Sequence, residues 1–284
     1  MKDHLEWVEE KWPEVQTRYR VKSVLYDKMS KFQHLLLVDT YSYGKMLLLD
    51  GIVQVTEKDE FIYHEMMVHV PMLSHQAPRK VFIIGGGDGG ILREVLRYKT
   101  VEKVTIVEID PMVIQLCKEF LPDLNKGSFD DSRANLVIAD GARYIKETKD
   151  SFDVIIIDSP DPIGPANILF SEEFYMNIRE VMNSTSIMVR QTGSVHMQSE
   201  EQESAFGLLR GLFTYTAFYF YSVPTYVGGL FSTIFCSDRI DPLGVTNKKL
   251  QRQILKNSID TLYYNPGIHI GAFYIPKFFE DRLK

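Results

Sequence analysis

The sequence predicts an α/β protein in which a small antiparallel β domain, residues 1–60, precedes a doubly wound parallel sheet in residues 61–284. Three observations predict it. Residues before 60 read as strands joined by turn signals. From residue 79, unbroken apolar strands alternate with helical patterns. The first of those strands runs into a glycine-rich turn, VFIIGGGDGG (81–90).

In the first region VQTRYRVKSVLYDK (15–28) alternates as one strand, while HLLLVDT (34–40) and KMLLLDG (45–51) flank the turn Tyr41-Ser42-Tyr43-Gly44. IVQVTEKD (52–59) continues the pattern beyond Asp50-Gly51, a dipeptide favoured in tight turns. At Phe61 the period lengthens, and FIYHEMMVHVPMLSH places apolar residues at helical spacing as far as Pro71. The alternation then opens with strand KVFIIGG, helix ILREVLRYK, strand KVTIVEID (103–110) and helix PMVIQLCKEFL. Strand NLVIADG (135–141), helix ARYIKETK, strand FDVIIIDS (152–159) and helix SEEFYMNIREVM (171–182) continue it. Strand SIMVRQTG (186–193), helix EEQESAFGLLRGLF (200–213) and an apparent hairpin, AFYFYSVPT with GGLFSTIFCS, close the sheet. Strands that are apolar without a break belong to a sheet covered on both faces, a Rossmann-like arrangement of the kind methyltransferases use.

Composition excludes several function classes. The 284 residues are 45% hydrophobic and 25% charged, with a net charge of −6. That balance offers no basic face to nucleic acid and no cationic stripe to an anionic membrane. The opening MKDHLEWVEEKW is charged from its second residue, and no window approaches the ~18 apolar residues of a membrane span. The expected location is the cytoplasm. Cys117 falls in a helical pattern and Cys236 in an apolar strand, at no metal or redox spacing, so both are expected to be buried free thiols. His64 and His69 stand five apart, which turns them roughly 140° from each other on a helix. No G-x-S-x-G or Cys-His signature occurs. Neither a metal site nor an acyl-enzyme is expected.

Gly85, Gly87 and Gly90 fit the G-x-G-x-x-G spacing that lets a nucleotide-like ligand approach a strand-to-helix turn. Asp88 stands inside that turn, where a pyrophosphate would be repelled. The turn therefore suits a nucleoside-like ligand with positive charge. Each of the first four parallel strands ends in acid: Asp88, then Glu108 and Asp110, then Asp140, then Asp158 and Asp161. Ligands of open α/β sheets bind outside those strand ends. A single such acid serves equally well as a helix cap, and Asp110 before Pro111 fits that role. Glu108, about 20 residues past the turn, sits where a Rossmann acid takes ribose hydroxyls. Asp140-Gly141 suits the edge of an adenine. Asp88, Asp158 and Asp161 have no task on a neutral nucleoside, so a second, cationic entity is implied. Two unit charges about 4 Å apart interact by ~4 kcal/mol at an effective dielectric of 20, enough to govern selection. Tyr63, His64 and Tyr226 are candidates to line the same site, although each type is commonly a packed core residue. The loop DSPDPIGPANILF (158–170), dense in proline and glycine, reads by its length as an ordinary rigid connection, but loops at this position also carry chemistry or act as lids.

GGGDGGILREVLRY, VEIDPMVI, ADGARYI, DSPDPIGPANILF and LDGIVQVTEKDEFIYHEMMVHVP together resemble the spermidine synthases, the polyamine aminopropyltransferase family. The resemblance runs over nearly the whole chain, including PTYVGG (224–229) and YYNPGIHIGAFYIPKF (263–278). It implies transfer of an aminopropyl group from decarboxylated S-adenosylmethionine, as co-substrate and with no separate cofactor, to a diamine such as putrescine. It implies that Gln33, Gln54, Glu108, Asp140, Gly141 and Pro165 hold the nucleoside and that Asp88 binds the aminopropyl ammonium. Tyr63, His64, Ser159, Pro160, Asp161 and Tyr226 would shape the polyamine channel, with Asp158 as proton acceptor and Tyr63 as a candidate relay. It also implies a homodimer or homotetramer. Pro160 departs from the Ser or Thr usual between the two acids, which bears on loop rigidity and acceptor choice. Acceptors other than putrescine (cadaverine, agmatine or spermidine) stay open at this point. So do a methyltransferase on a similar sheet and a non-catalytic polyamine binder.

Overall fold

Five antiparallel strands come first: β1 (Trp7–Lys11), β2 (Gln16–Met29), β3 (His34–Thr40), β4 (Gly44–Leu49) and β5 (Ile52–Thr56), hydrogen-bonded in that order. The computed structural model describes residues 6–12, 15–75, 77–158 and 171–284. β1, the segment WVEEK, is too short and too charged to stand out as a strand in the sequence. The sheet curls until its ends meet, where Lys11 N donates to Gly51 O at 3.0 Å and Val53 N to the Glu10 carboxylate at 3.2 Å. This curl accounts for runs such as HLLLV and KMLLL, which are apolar on both faces. Val38, Met46, Leu48 and Val53 turn to one buried face with Val8 and Tyr19. Leu35, Leu37 and Leu47 turn to the other and pack on Val113, Leu116 and Cys117 of the helix that begins at Pro111.

The second sheet contains β6 (Lys80–Gly85), β7 (Lys103–Glu108), β8 (Ala134–Ile138), β9 (Phe152–Asp158), β10 (Met182–Ser194), β11 (Tyr215–Ser222) and β12 (Leu230–Ser237). Their spatial order is β11-β12-β10-β9-β6-β7-β8. The five strands from β10 to β8 run parallel, and β12 and β11 extend them as an antiparallel hairpin. The sheet is Rossmann-like and mixed. The chain steps outward through β7 and β8, then returns to lay β9 on the other side of β6. Strand order thus reverses between β6 and β9, where Gly85 pairs in register with Asp158. Such a switch point is where open α/β sheets bind ligands.

Alternate side chains feed two cores. Val81, Ile83, Val104 and Ile106 face α1 (Glu60–His75), α2 (Gly90–Leu96), α8 (Asn247–Asn257) and α9 (Pro266–Ala272). Phe82, Ile84, Ile155 and Ile157 face α5 (Gly141–Glu147), α6 (Glu172–Glu180), α7 (Ser199–Leu212) and α10 (Lys277–Arg282). Between the two sheets stands α3 (Pro111–Phe120), followed by the short α4 (Pro122–Asn125). The expected break of α1 at Pro71 does not occur, and the helix runs on to His75. Its residues from Ile62 to Ser74 are all buried. A proline inside a helix costs ~3 kcal/mol, whereas each fully buried Met, Leu or Val contributes about 1.5–3 kcal/mol, so packing wins. Cys117 and Cys236 are buried and free. Among the described residues no helix is long and apolar enough to cross a membrane.

His64, Glu65 and His69 go to separate partners. Glu65 accepts the backbone N–H groups of Leu262 (2.8 Å), Tyr263 (2.9 Å) and Tyr264 (2.7 Å), so it fastens the C-terminal helices to α1. His69 meets Tyr98 Oη through Nδ1 at 2.9 Å, and its Nε2 lies 3.1 Å from Glu94. Replacing Glu65 with Ala removes the partner of three donors, of which Tyr264 N is buried and the other two partly so, and leaves an unfilled space beside α1; an orphaned buried donor costs about 1–3 kcal/mol. Urea unfolding of Glu65→Ala is expected to show a loss of about 3–5 kcal/mol at an unchanged m-value. A loss below about 1 kcal/mol would mean that the tail is held by other contacts.

Candidate active site

At the carboxyl ends of β6 to β9 the structure holds a cavity of about 320 Å³. Asp88 from the turn after β6, Glu108 at the end of β7, Asp140 after β8 and Asp158 at the end of β9 all line it. The curled sheet contributes Glu10, Trp12, Gln33, Asp50 and Gln54, while Tyr63, Gln191, Tyr226 and Phe231 form further wall. Among the described lining residues there is no lysine, arginine or histidine. Carboxylates crowded along one wall with no cation among the described lining residues repel one another, which favours protonation of some of them or a cation set behind the wall.

Asp88 is held from behind. Its Oδ1 accepts the Gly90 N–H at 2.7 Å, and its Oδ2 lies 3.2 Å from His64 Nε2. His64 does not line the cavity: its side chain is 2% exposed and sits behind Asp88, with Nδ1 bonded to Glu60. Burial alone would lower the imidazole, but Asp88 and Glu60 on its two sides push it up to about 10. His64 is therefore an imidazolium at neutral pH. Asp88, which burial alone would raise, is held below the usual carboxylate range by that cation and by the Gly90 N–H. Two glycines make the packing possible. A Cβ at Gly90 would fall on the His64 ring, and one at Gly87 would stand 2.9 Å from the Glu108 carboxylate.

Glu108 Oε1 accepts the Asp110 N–H at 2.9 Å. Burial, helped by the charges of Asp110 and Asp158, nevertheless pushes it up to about 7. Asp110 caps α3 through Met112 N at 3.0 Å, as the sequence suggests. Its other oxygen accepts from Ser30 Oγ at 2.7 Å and from Gln33 Nε2 at 3.1 Å. The cap thus also clamps the β2–β3 loop, and with it Gln33, to the main sheet. Asp140 caps α5 through Arg143 N at 3.0 Å while lining the cavity, so capping and site are not alternatives there. Gly141 lies so close to Ile84 that a Cβ would stand 2.6 Å from it.

Burial and the charge of Asp88 push Asp158 up to about 6. Tyr63 Oη donates to its Oδ1, and burial holds that phenol well above its usual range, so Tyr63 is a fixed donor. Tyr226 Oη donates to Gln54 O at 2.8 Å, and its ring stands 5.6 Å from that of Tyr63. Ser159, Pro160, Asp161 and Pro165 lie outside the described residues. Glu10 and Trp12 gave no signal in the sequence, because only the curl of the sheet brings β1 to the cavity. Gln191 did have one. It stands near the carboxyl end of β10, next to β9, where the rule that singled out the acids applies to any polar side chain.

Fold and cavity together define a Rossmann-like enzyme site at the switch point, lined by carboxylates from four successive strand ends. The chain belongs to the spermine/spermidine synthase family and is an aminopropyltransferase. Residues 60–262 match the spermine/spermidine synthase domain, and residues 6–57 match the spermidine synthase tetramerisation domain. Polyamine aminopropyltransferase 1 of Pseudomonas aeruginosa is 46% identical over 261 residues, covering 92% of this chain and 91% of that protein. The polyamine aminopropyltransferase of Shigella boydii is 40% identical over 283 residues, covering 100% and 98%. A spermidine synthase solved in complex with the transition-state analogue AdoDATO superposes with a TM-score of 0.93 at 37% identity, over 99% of this chain and 96% of that one. The spermidine synthase of Thermotoga maritima superposes with a TM-score of 0.90 at 36% identity, over 99% and 95%.

Gly90→Ala is expected to lower stability by about 1–3 kcal/mol, the usual cost of forcing a side chain out of a filled space. A Cβ at Gly207, in α7, would meet nothing within 4 Å beyond its chain neighbours and its own helix backbone. Gly207→Ala is expected to be neutral or stabilising by up to about 1 kcal/mol. Thermal unfolding of the two variants side by side checks the contrast, and equal behaviour would contradict it.

Proposed function

We propose that the protein transfers the aminopropyl group of decarboxylated S-adenosylmethionine to putrescine, giving spermidine and methylthioadenosine with no separate cofactor. The observation that carries this reading is the acidic cavity with no cation among its described lining residues, with Asp88 in the turn after β6 and Asp158 at the end of β9 on the two sides of the switch point. In this reading Glu108 accepts the ribose hydroxyls and Asp140 with Gly141 meets the adenine edge. Gln33 and Gln54 close the nucleoside side, and Asp88 takes the ammonium of the aminopropyl arm. Tyr63 and Tyr226 flank the acceptor. Ser159, Pro160, Asp161 and Pro165 keep the roles the resemblance implies. The match of residues 6–57 to a tetramerisation domain supports assembly as a homotetramer, or as a homodimer within one.

The carbon beside the sulfonium is already activated, so alignment does most of the work. An ammonium has no lone pair, and an alkyl amine with a lysine-like pKa of ~10 is almost wholly protonated near pH 7. Asp158 takes one proton from the attacking nitrogen. The N–C bond forms as the C–S bond breaks, and the electron pair stays on sulfur as a neutral thioether. A carboxylate raised to about 6 is a stronger base than one at its ordinary value, and Tyr63 fixes its direction. The remaining ammonium of the diamine then meets the other acids of the wall.

Asp158→Asn is expected to lower turnover by about 10²–10⁴-fold while leaving methylthioadenosine binding intact, measured by product formation and calorimetry. Unchanged turnover would remove Asp158 from the mechanism, and a wild-type protein that forms no methylthioadenosine would overturn the reading. Glu108 and Asp158 titrate near 7 and 6 in the free enzyme, and both act as carboxylates. kcat/KM for the donor is therefore expected to fall as pH drops through 7 and then 6. The acid limb of kcat should lie lower, because bound cations favour the ionised acids. A kcat/KM that is flat between pH 5 and 8 would contradict these assignments.

A further inference from the structure

Behind Asp88 a run of largely buried side chains of alternating charge leads away from the cavity. His64 stands between Asp88 and Glu60. The Arg93 guanidinium then grips both oxygens of Glu60, Nη1 to Oε1 and Nη2 to Oε2, each at 3.0 Å. Arg93 is itself fixed by Glu94 through Nε at 2.8 Å and by the Leu124 carbonyl at the end of α4. The Glu60 and Arg93 side chains are 12% and 10% exposed, and neither lines the cavity.

The order of charges matters. A lone imidazolium beside Asp88 would neutralise it, and the turn would present little field to a ligand. A lone neutral imidazole would leave Asp88 unsupported in a buried position, where a carboxyl tends to take up a proton. Glu60 excludes both outcomes: it keeps His64 charged and draws part of that charge to itself. Arg93 in turn keeps Glu60 ionised and holds it in a two-point grip that a single donor does not reproduce. Asp88 is then an ionised acceptor of fixed direction, and its oxygens keep lone pairs for a ligand.

We propose that Glu60 and Arg93 are positioning residues for the aminopropyl donor, fixing His64 against Asp88 so that Asp88 receives the donor's ammonium. This rests on the reading that Asp88 meets that ammonium. The test compares decarboxylated S-adenosylmethionine with methylthioadenosine, which shares the nucleoside but has no ammonium arm. Calorimetry is run on the full-length wild type, Glu60→Gln and Arg93→Lys, with KM and kcat for the donor measured alongside.

Glu60→Gln, close in shape, is expected to weaken donor binding about tenfold or more and to raise donor KM more than it lowers kcat, with methylthioadenosine affinity held within about twofold. Arg93→Lys is expected to shift the same way by less. Parallel loss for both ligands would mark the pair as merely structural, and no loss for either would mark it as irrelevant. Both results overturn the proposal. If Glu60→Gln does not fold, Arg93→Lys carries the same comparison with the same outcomes. Failure of the underlying reading looks different: the wild type itself would then bind the two ligands equally or form no product.

Discussion

The contact between Asp88 and the His64 imidazolium is the interaction on which the rest of the site depends. Asp88 occupies a glycine turn that would otherwise welcome an anion, and it is kept ionised there although burial works against it. Losing hydration costs a buried charge several kcal/mol unless a partner offsets it. The partner is carried by α1, a helix buried nearly end to end, which explains why its packing overrides an internal proline. Gly90 is required because the His64 ring fills the space where a side chain would be. Helix burial, glycine pattern and acid charge are thus parts of one arrangement.

From Asp88 the influence passes to its neighbours. Its charge is the main electrostatic reason that Asp158 titrates near 6. Burial, with smaller contributions from Asp110 and Asp158, brings Glu108 to about 7. Carboxyl groups of one chemical kind are spread over several units by their surroundings, and such spreading divides roles among similar groups. In the proposed function Asp88 holds a charge, Asp158 accepts a proton and Glu108 accepts hydroxyl hydrogen bonds. In that function a bound dication relieves the repulsion among these carboxylates, which adds to the preference for a cationic ligand.

Much of this was legible in the sequence where a local rule applied. The alternating strands, the glycine turn and the acids after each strand follow from periodicity and from the place where open sheets bind ligands. Asp110 reads correctly as a cap, but its second task, clamping Gln33 at a separation of 77 residues, has no local signal. The direction of His64 was equally hidden: helical spacing places it beside Tyr63, yet only the packing of α1 on α2 turns it behind Asp88. Glu10 and Trp12 reach the cavity through the curl of a sheet whose closure is a long-range property. The docking of the C-terminal segment has no local signal either, because Glu65, which accepts the Tyr264 N–H, lies 199 residues earlier in the chain.

The proposed function requires that fixed negative charge at Asp88, with no cation among the described lining residues, selects a positively charged donor lacking a carboxylate. Calorimetry of the wild-type protein with decarboxylated S-adenosylmethionine and with S-adenosylmethionine tests it most directly, since the two differ only in that group. A like charge about 4 Å from Asp88 costs ~4 kcal/mol at an effective dielectric of 20, so the decarboxylated donor is predicted to bind at least about a hundredfold more tightly. Equal affinity for the two would contradict the account.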